Sequence, residues 1–329
     1  MTARAYLQLD VFADRPGAGN PLGVVFDADD LDVATMHAIA NWTNLSETIF
    51  LLAPTTPEAD YRVRIFTPRQ ELPFAGHPSV GAAWAVLEQA LARADTGRLV
   101  QECAAGLLPV RVESRDGAHV VHVRSPRASQ VTSTSGFHDL LATALDGLAP
   151  GTIAPALWQN GPRWWVVQLA DGDAVRAMQP RLGDIAALTI ASGAVGLTVH
   201  GRATSEGHDI VVRAYCPADN IPEDPVTGSA NAVIAASLQA HGLLPTADAG
   251  GGGRYIASQG REIGRDGRVE IEVDADGDVW IGGQVQSVIR GEFDWSPAVA
   301  DRAEAAGPAA KDWDQSPPRA PDSGGSIDW

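Results

Sequence analysis

Arg64–Pro73 reads RIFTPRQELP, and 149 positions further on Arg213–Pro222 reads RAYCPADNIP. Each copy runs arginine, any residue, aromatic, any residue, proline, with a second proline five residues later. After a spacer that is two residues shorter in the second copy, HPSVGAA (His77–Ala83) faces DPVTGSA (Asp224–Ala230). Both then run into an alanine-rich amphipathic stretch. A chain that carries strand, turn and helix start twice has two similar halves. Pro78 and Pro225 suit the first turn of a helix, where no amide donor is needed. The small residues beside them (Ser79, Gly81, Thr227, Gly228, Ser229) leave backbone N–H groups uncovered. Free amides at the positive end of a helix dipole form a seat for a carboxylate. If the halves face one another, both helix starts open on one cleft, with the imidazole of His77 and the carboxylate of Asp224 flanking a bound acid from opposite sides.

A third ionisable group stands out in NLSETIFLL (Asn44–Leu52). Strand side chains alternate, so Glu47 shares a face with Ile49 and Leu51, while Thr48, Phe50 and Leu52 share the other. Neither face is polar. Glu47 therefore sits at a solvated strand end or in an apolar wall, and the second setting raises its pKa into the range useful for proton transfer near neutral pH.

The 329 residues suffice for about two domains, and 45% hydrophobic content is ordinary for a globular protein. No apolar run approaches a membrane span, and MTARAYLQLDVF lacks a signal peptide's basic and apolar regions. Two cysteines, Cys103 and Cys216, offer no disulfide framework, CxxC pair or zinc cluster, and a reducing cytoplasm fits best. A formal charge of -17 argues against nucleic acid and anionic membranes as partners but not against a small anionic substrate.

Short strands are expected at YRVRIF, HVVHVR, RWWVVQLA, HDIVVRAY and RVEIEV, and helices at DVATMHAIANWT, SVGAAWAVLEQALARA, FHDLLATALDGL, GDIAALTIAS and TGSANAVIAASLQAHG. DADGD (Asp274–Asp278) reads as a hairpin turn, because strands flank it and the twelfth-position glutamate of a calcium loop is missing. DAGGGGRY reads as a flexible loop and not a phosphate cradle. His119 and His122 fall on opposite strand faces, which is poor metal-ligand spacing, and no metal site is expected. From Ala298 onward the chain loses strand pattern and reads as a disordered tail, with Trp313 and Trp329 as docking residues.

LDVFADRPGAGNPLGVV, NLSETIFLL, YRVRIFTPRQELPFAGHPSVGAA, EDPVTGSANA and SQGREIGRDGRVEI closely resemble the PhzF-like phenazine-biosynthesis family, in order from about Leu9 to about Phe293. The resemblance implies an α+β, diaminopimelate epimerase-like fold of two pseudo-symmetric halves, each a barrel-like sheet around a central helix, with the active site between them. It places one half at 1–122 plus a returning last strand at about 279–295, the other at 123–278, and the tail at 298–329. It also implies a homodimer and no cofactor. Glu47 becomes the proton shuttle, assisted by His77 and Asp224. Asn20, Ser46, Gly76, Gly228 and Ser229 become substrate contacts, Gly76 and the helix-start amides holding the substrate carboxylate.

The epimerase branch of this fold uses one thiol at each helix start, whereas the corresponding stretches here, FAGHPS and EDPVTG, contain none. Cys103 and Cys216 read as packed core thiols. The expected activity is therefore an isomerisation in which Glu47 moves a proton between carbons of a small cyclic unsaturated carboxylic acid. A two-base epimerase or racemase using Glu47 and Asp224, and a non-catalytic binder of small acids, are the rival readings. Trp42 and Trp84 stand near these blocks as pocket or core residues.

Overall fold

The computed structural model describes residues 2–205, 207–245 and 252–295. The proposed tail from 298, with Trp313 and Trp329, lies outside the described residues, as do four of the residues of the glycine loop (248–251). The chain runs β1 (Thr2–Val11), β2 (Asn20–Val25), α1 (Val33–Thr43), β3 (Glu47–Leu52), β4 (Tyr61–Phe66), β5 (Glu71–Leu72), α2 (Gly76–Glu88), β6 (Arg98–Cys103), β7 (Gly106–Arg115) and β8 (Ala118–Arg124). It continues through β9 (Ser129–Gln130), α3 (His138–Ala144), β10 (Ala156–Gln159), β11 (Arg163–Gln168), α4 (Gly172–Ala177), α5 (Leu182–Ser192), β12 (Gly196–Arg202), β13 (Ile210–Cys216), β14 (Ile221–Asp224), α6 (Gly228–Ala240), β15 (Gly253–Gln259), β16 (Gly267–Val273), β17 (Val279–Gly283) and β18 (Val285–Trp295).

The repeat seen in the sequence is a repeat of pairing register. Thr48 of β3 lies opposite Phe66 of β4, and Leu197 of β12 lies opposite Tyr215 of β13, a spacing of 149 for both partners. The helices α1 and α5 stand at the same spacing, and each ends on a left-handed residue, Asn44 at φ 52° and Gly193 at φ 63°. Asparagine and glycine are the residues that tolerate this C-terminal geometry. The repeated Arg-x-aromatic places a guanidinium over the next ring on the same strand face, at 5.3 Å from the centroid in both Arg64–Phe66 and Arg213–Tyr215. Each arginine also clamps a glutamate beyond the turn, Arg64 with Glu71 at 2.6–2.7 Å and Arg213 with Glu223 at 2.7–2.9 Å. These clamps tie β4 to the β5 turn and β13 to β14.

Exchange of end strands joins the two halves. β9 leaves β8 to pair with β10, and β18 leaves β17 to pair with β1 over ten register positions, while β8 and β17 pair with each other. Inside the curved sheet lie α2 and α6, whose faces are buried nearly all round (Gly76–Val86 in α2). A helix so enclosed must be apolar and small on every side, which accounts for GAAWAV and ANAVIAAS; a Cβ on Gly81 would overlap Leu22. The outer helices cover the other sheet face, Met36 and Ile39 of α1 packing with Phe50 and Phe66, and Ile185 and Leu188 of α5 with Tyr215 and Trp165. Among the described residues no helix is long and apolar enough to cross a membrane.

Three local expectations change. The stretch expected to stay helical to Ala94 stops at Glu88: the amides of Ala90 and Leu91 turn back onto the carbonyls of Leu87 and Val86, with Ala90 at φ 52°. Pro225 is not in a first helical turn. α6 begins three residues later, with Thr227 as N-cap. The helix-start register also differs: Gly76 and Gly228 are the equivalent residues, so the spacing lengthens to 152 instead of shortening. An added Cβ on Gly76 would lie 3.2 Å from the Gly228 Cα and 2.6 Å from Ile281 Cδ1. The two inner helices meet start to start through this glycine pair.

Candidate active site

The meeting of the helix starts forms the floor of a cleft of about 1200 Å³, lined by Ser46, Glu47, Gly76, His77, Asp224, Thr227, Gly228 and Ser229 together with Leu72, Phe74, Trp164 and Cys216. Neither α2 nor α6 has a side-chain N-cap: Ala75 cannot supply one, and Thr227 does not. The hydroxyl of Thr227 is instead hydrogen-bonded to Asp224 Oδ2. Two sets of first-turn amides thus converge on one place with no protein carboxylate or hydroxyl capping them, the arrangement that favours an anion.

Glu47 opens β3 on the inner face, ahead of the buried Ile49 and Leu51. Its side chain keeps only 16% exposure, and its Oε2 lies 3.3 Å from His77 Nε2. The two atoms are out of hydrogen-bond alignment and have no other partner. The Pro21 carbonyl accepts a hydrogen bond from the His77 ring, which assigns that proton to Nδ1 and leaves Nε2 as an acceptor. Burial pushes the imidazole down to about 3 and pushes the Glu47 carboxyl up to about 8, the charge of Asp224 adding to the latter. At neutral pH the pair is therefore a carboxylic acid facing a neutral imidazole.

Asp224 ends β14 and reaches the cleft from the other half. Burial raises its pKa, while hydrogen bonds from Thr227 and from Asn20 Nδ2 (3.2 Å) oppose that rise. Both bonds favour the ionised form. Glu47 and Asp224 are thus two buried carboxyls that burial pushes upward, and only at Asp224 do donated hydrogen bonds oppose the rise.

Ser229 Oγ accepts from Trp164 Nε1 at 3.1 Å, so its own hydrogen is free for the cleft. Ser46 Oγ donates to Asn20 Oδ1 at 3.3 Å. Asn20 itself is fully buried behind Asp224, holding the Val226 carbonyl at 2.9 Å as well, and does not line the cleft. Its place as a substrate contact is therefore corrected to a support of Asp224. Trp42 is 69% exposed and Trp84 is buried in the core, and neither lines the cleft. Cys216 is buried at the cleft wall, where burial and the neighbouring carboxylates raise its thiol well above the usual range. It is not a thiolate nucleophile.

Sequence reading missed three residues. Trp164, from the RWWVV strand, braces Ser229. Gly196 occupies in β12 the position that Glu47 occupies in β3, visible only once the 149 spacing is carried from one hairpin to the other. A Cβ there would lie 2.5 Å from both the Trp164 ring and the Tyr215 carbonyl. Gln259 stands in the quoted SQG motif but carries no signal of its function until its contacts are seen.

The architecture is that of the diaminopimelate epimerase-like fold class. The chain belongs to the phenazine biosynthesis-like protein family (PhzC-PhzF), which it matches over residues 9–291, and so to the PhzF-type isomerases. It is 35% identical to the trans-2,3-dihydro-3-hydroxyanthranilate isomerase of Pseudomonas aeruginosa, covering 83% of this chain and 91% of that one. It is 32% identical to antisense-enhancing sequence 1 of Schizosaccharomyces pombe, over 89% of this chain and 99% of that one. Among solved structures, the PhzF-family phenazine biosynthesis protein of Bacillus anthracis superposes with a TM-score of 0.76 at 25% identity, covering 90% of this chain and all of that one.

Proposed function

We propose that this chain is a cofactor-independent isomerase that shifts a proton between two carbons of a small cyclic, unsaturated carboxylic acid. The substrate carboxylate sits on the amides at Gly76 and at Gly228–Ser229, with the Ser229 hydroxyl beside it. Glu47, in its ionised form, takes a proton from a carbon whose conjugate base is delocalised into the neighbouring double bonds. It then returns that proton at the far end of the conjugated system. One C–H bond breaks and one forms, the double bond moves, and no electron pair leaves the molecule. Asp224, charged, raises the basicity of Glu47, and neutral His77 stands 3.3 Å from the Glu47 carboxyl.

The observation that carries this reading is the setting of Glu47: a buried carboxyl with a pKa of about 8 in the cleft, with a glycine, Gly196, at its pseudo-symmetric counterpart. A single base on one face supports return of the proton to another carbon, whereas epimerisation needs a second base across the ring. The isomerase named trans-2,3-dihydro-3-hydroxyanthranilate isomerase supports a hydroxylated cyclohexadiene carboxylate as the first substrate to try.

The test uses that substrate deuterated at the carbon that loses its proton. The expected product is a positional isomer carrying part of the label at the new carbon, on the same face, and Glu47→Gln lowers turnover by at least about 10²-fold. Inversion at the original carbon with no double-bond shift would restore the epimerase reading. Tight binding of the acid with no turnover of it would support a binder.

A further inference from the structure

Behind Asp224 lies a chain of buried amides and hydroxyls that the proton transfer does not itself use. Gln259, the last residue of β15, is 1% exposed and makes four hydrogen bonds. Its Oε1 accepts from the Thr227 amide at 3.1 Å and from Asn231 Nδ2 at 2.9 Å. Its Nε2 donates to the Asp224 carbonyl at 3.1 Å and to Thr227 Oγ1 at 3.0 Å. Two donors on the oxygen side and two acceptors on the nitrogen side fix the amide in one orientation. The residue that follows is held too: Gly260 has φ 82°, and a Cβ on it would overlap the Pro225 carbonyl. The Gln-Gly pair thereby pins the Pro225–Thr227 segment that carries Asp224 into α6.

The consequence falls on one proton. Thr227 Oγ1 receives a hydrogen bond from Gln259 on one lone pair and directs its own hydrogen to Asp224 Oδ2. Asn20 supplies the donor to Oδ1. Both carboxyl oxygens then face donors, and hydrogen bonds donated to a carboxyl group favour its ionised form.

We infer that Gln259 is a positioning residue, which orders the Thr227 hydroxyl so that Asp224 stays the ionised member of the carboxyl pair and Glu47 the protonated one. The inference rests on the proposed role of Glu47 and goes a step further by naming what keeps the two carboxyls apart. The ionisable groups around them are His77 on α2, Cys216 on β13 and Glu223 on β14, the last neutralised by Arg213. None of them can order the Thr227 hydroxyl.

The test reads the Glu47 carboxyl directly, by carbon-detected NMR titration of ¹³C-glutamate-labelled protein, with Glu47→Gln assigning the signal. In the wild type the midpoint is expected near 8. Gln259→Met is expected to lower it by about half a pH unit or more, because Asp224 then carries less charge. Thr227→Val should reproduce that fall and Thr227→Ser should restore the wild-type midpoint. The double variant Gln259→Met/Thr227→Val should add nothing further, since the glutamine acts through the hydroxyl. A folded Gln259→Met protein with an unchanged midpoint, or a double variant with fully additive shifts, would overturn the inference. Should Gln259→Met not fold, Gln259→Asn, whose shorter amide cannot span Thr227 and Asn231, carries the same two outcomes. A wild-type midpoint near the ordinary glutamate value would overturn the raised carboxyl of Glu47 and this inference with it, whereas loss of turnover alone bears only on the reaction.

Discussion

The buried carboxyl of Glu47 should announce itself in the stability of the protein with no substrate in hand. Its pKa moves from the ordinary 4.5 to about 8 on folding. Below pH 4.5 both folded and unfolded chains hold the proton and the group contributes nothing. Between 4.5 and 8 the unfolded chain releases the proton and the folded one keeps it, so stability falls as pH rises, and the loss is complete above 8. At about 1.4 kcal/mol per pH unit, the full displacement amounts to a ceiling of about 5 kcal/mol. The 16% exposure of the side chain to the cleft lowers that ceiling by solvent screening.

Glu47→Gln keeps the shape and removes the titration. Comparing the two proteins by urea denaturation between pH 6.5 and 8.5 isolates the effect. The buried imidazoles His77 and His200, pushed down to about 3 and about 4, contribute stability that is lost only as pH falls below their unfolded value of 6.5. Across this window the glutamine variant should gain on the wild type by about 1–2 kcal/mol, the variant curve staying flatter as pH rises. Two curves that run parallel within error would refute the raised carboxyl, and with it the claim that Glu47 stores a proton at neutral pH.

Other consequences follow from the same geometry. Below about pH 8 only the minor ionised fraction of Glu47 can abstract a proton, so kcat/KM measured with an isomerised substrate should rise about tenfold per pH unit and level near 8; a rate that falls over this range would assign Glu47 the acid's part in the first step. Gly76→Ala should cost about 1–3 kcal/mol in thermal or chemical denaturation and weaken acid binding, because the methyl meets Ile281 and the Gly228 backbone where the helices touch. The two repeat arginines should differ. Arg213→Ala strands a glutamate that is 9% exposed and should cost about 3–5 kcal/mol, whereas Arg64→Ala leaves Glu71 at 31% exposure and should cost about 1 kcal/mol. A hydroxyanthranilate should bind the cleft more tightly than its carboxamide by calorimetry, and equal affinities would remove the amide seat.

The halves were legible because their repeat is written in side chains that work locally. Arg64 and Phe66, like Arg213 and Tyr215, interact two residues apart on one strand face, so the pattern survives in one dimension. Glu47 was legible as a misfit, a carboxylate on an apolar face. The register of the helix starts was not, since Gly76 and Gly228 are equivalent through a contact between residues 152 apart, and HPSVGAA set against DPVTGSA offers a closer match of letters. The short helix α4 escaped notice because six residues hold too little periodicity, although its N-cap, Asp171 accepting from Ala174 N at 2.8 Å, is a local signal. Asn20 and Gln259 act only through residues about 30 to 200 positions away, and their types alone do not separate a support from a contact.

The departure from two-fold symmetry ties these observations to one chemistry. The fold supplies two equivalent hairpins, two inner helices and two uncapped helix starts, and symmetry would also supply two bases. Yet where β3 begins with Glu47, β12 begins with Gly196, and the space a side chain would need is taken by Trp164, whose indole holds Ser229. In the proposed reaction Asp224 does not replace the missing base, since Thr227 and Asn20 occupy its oxygens. On the proposed reading, one half contributes the group that gains and loses a proton. The other contributes a charge that keeps this group basic and a hydroxyl beside the amides proposed to hold the acid. An acid bound across the floor in that way meets a proton carrier on one face only, and a proton removed there has that same face to return to.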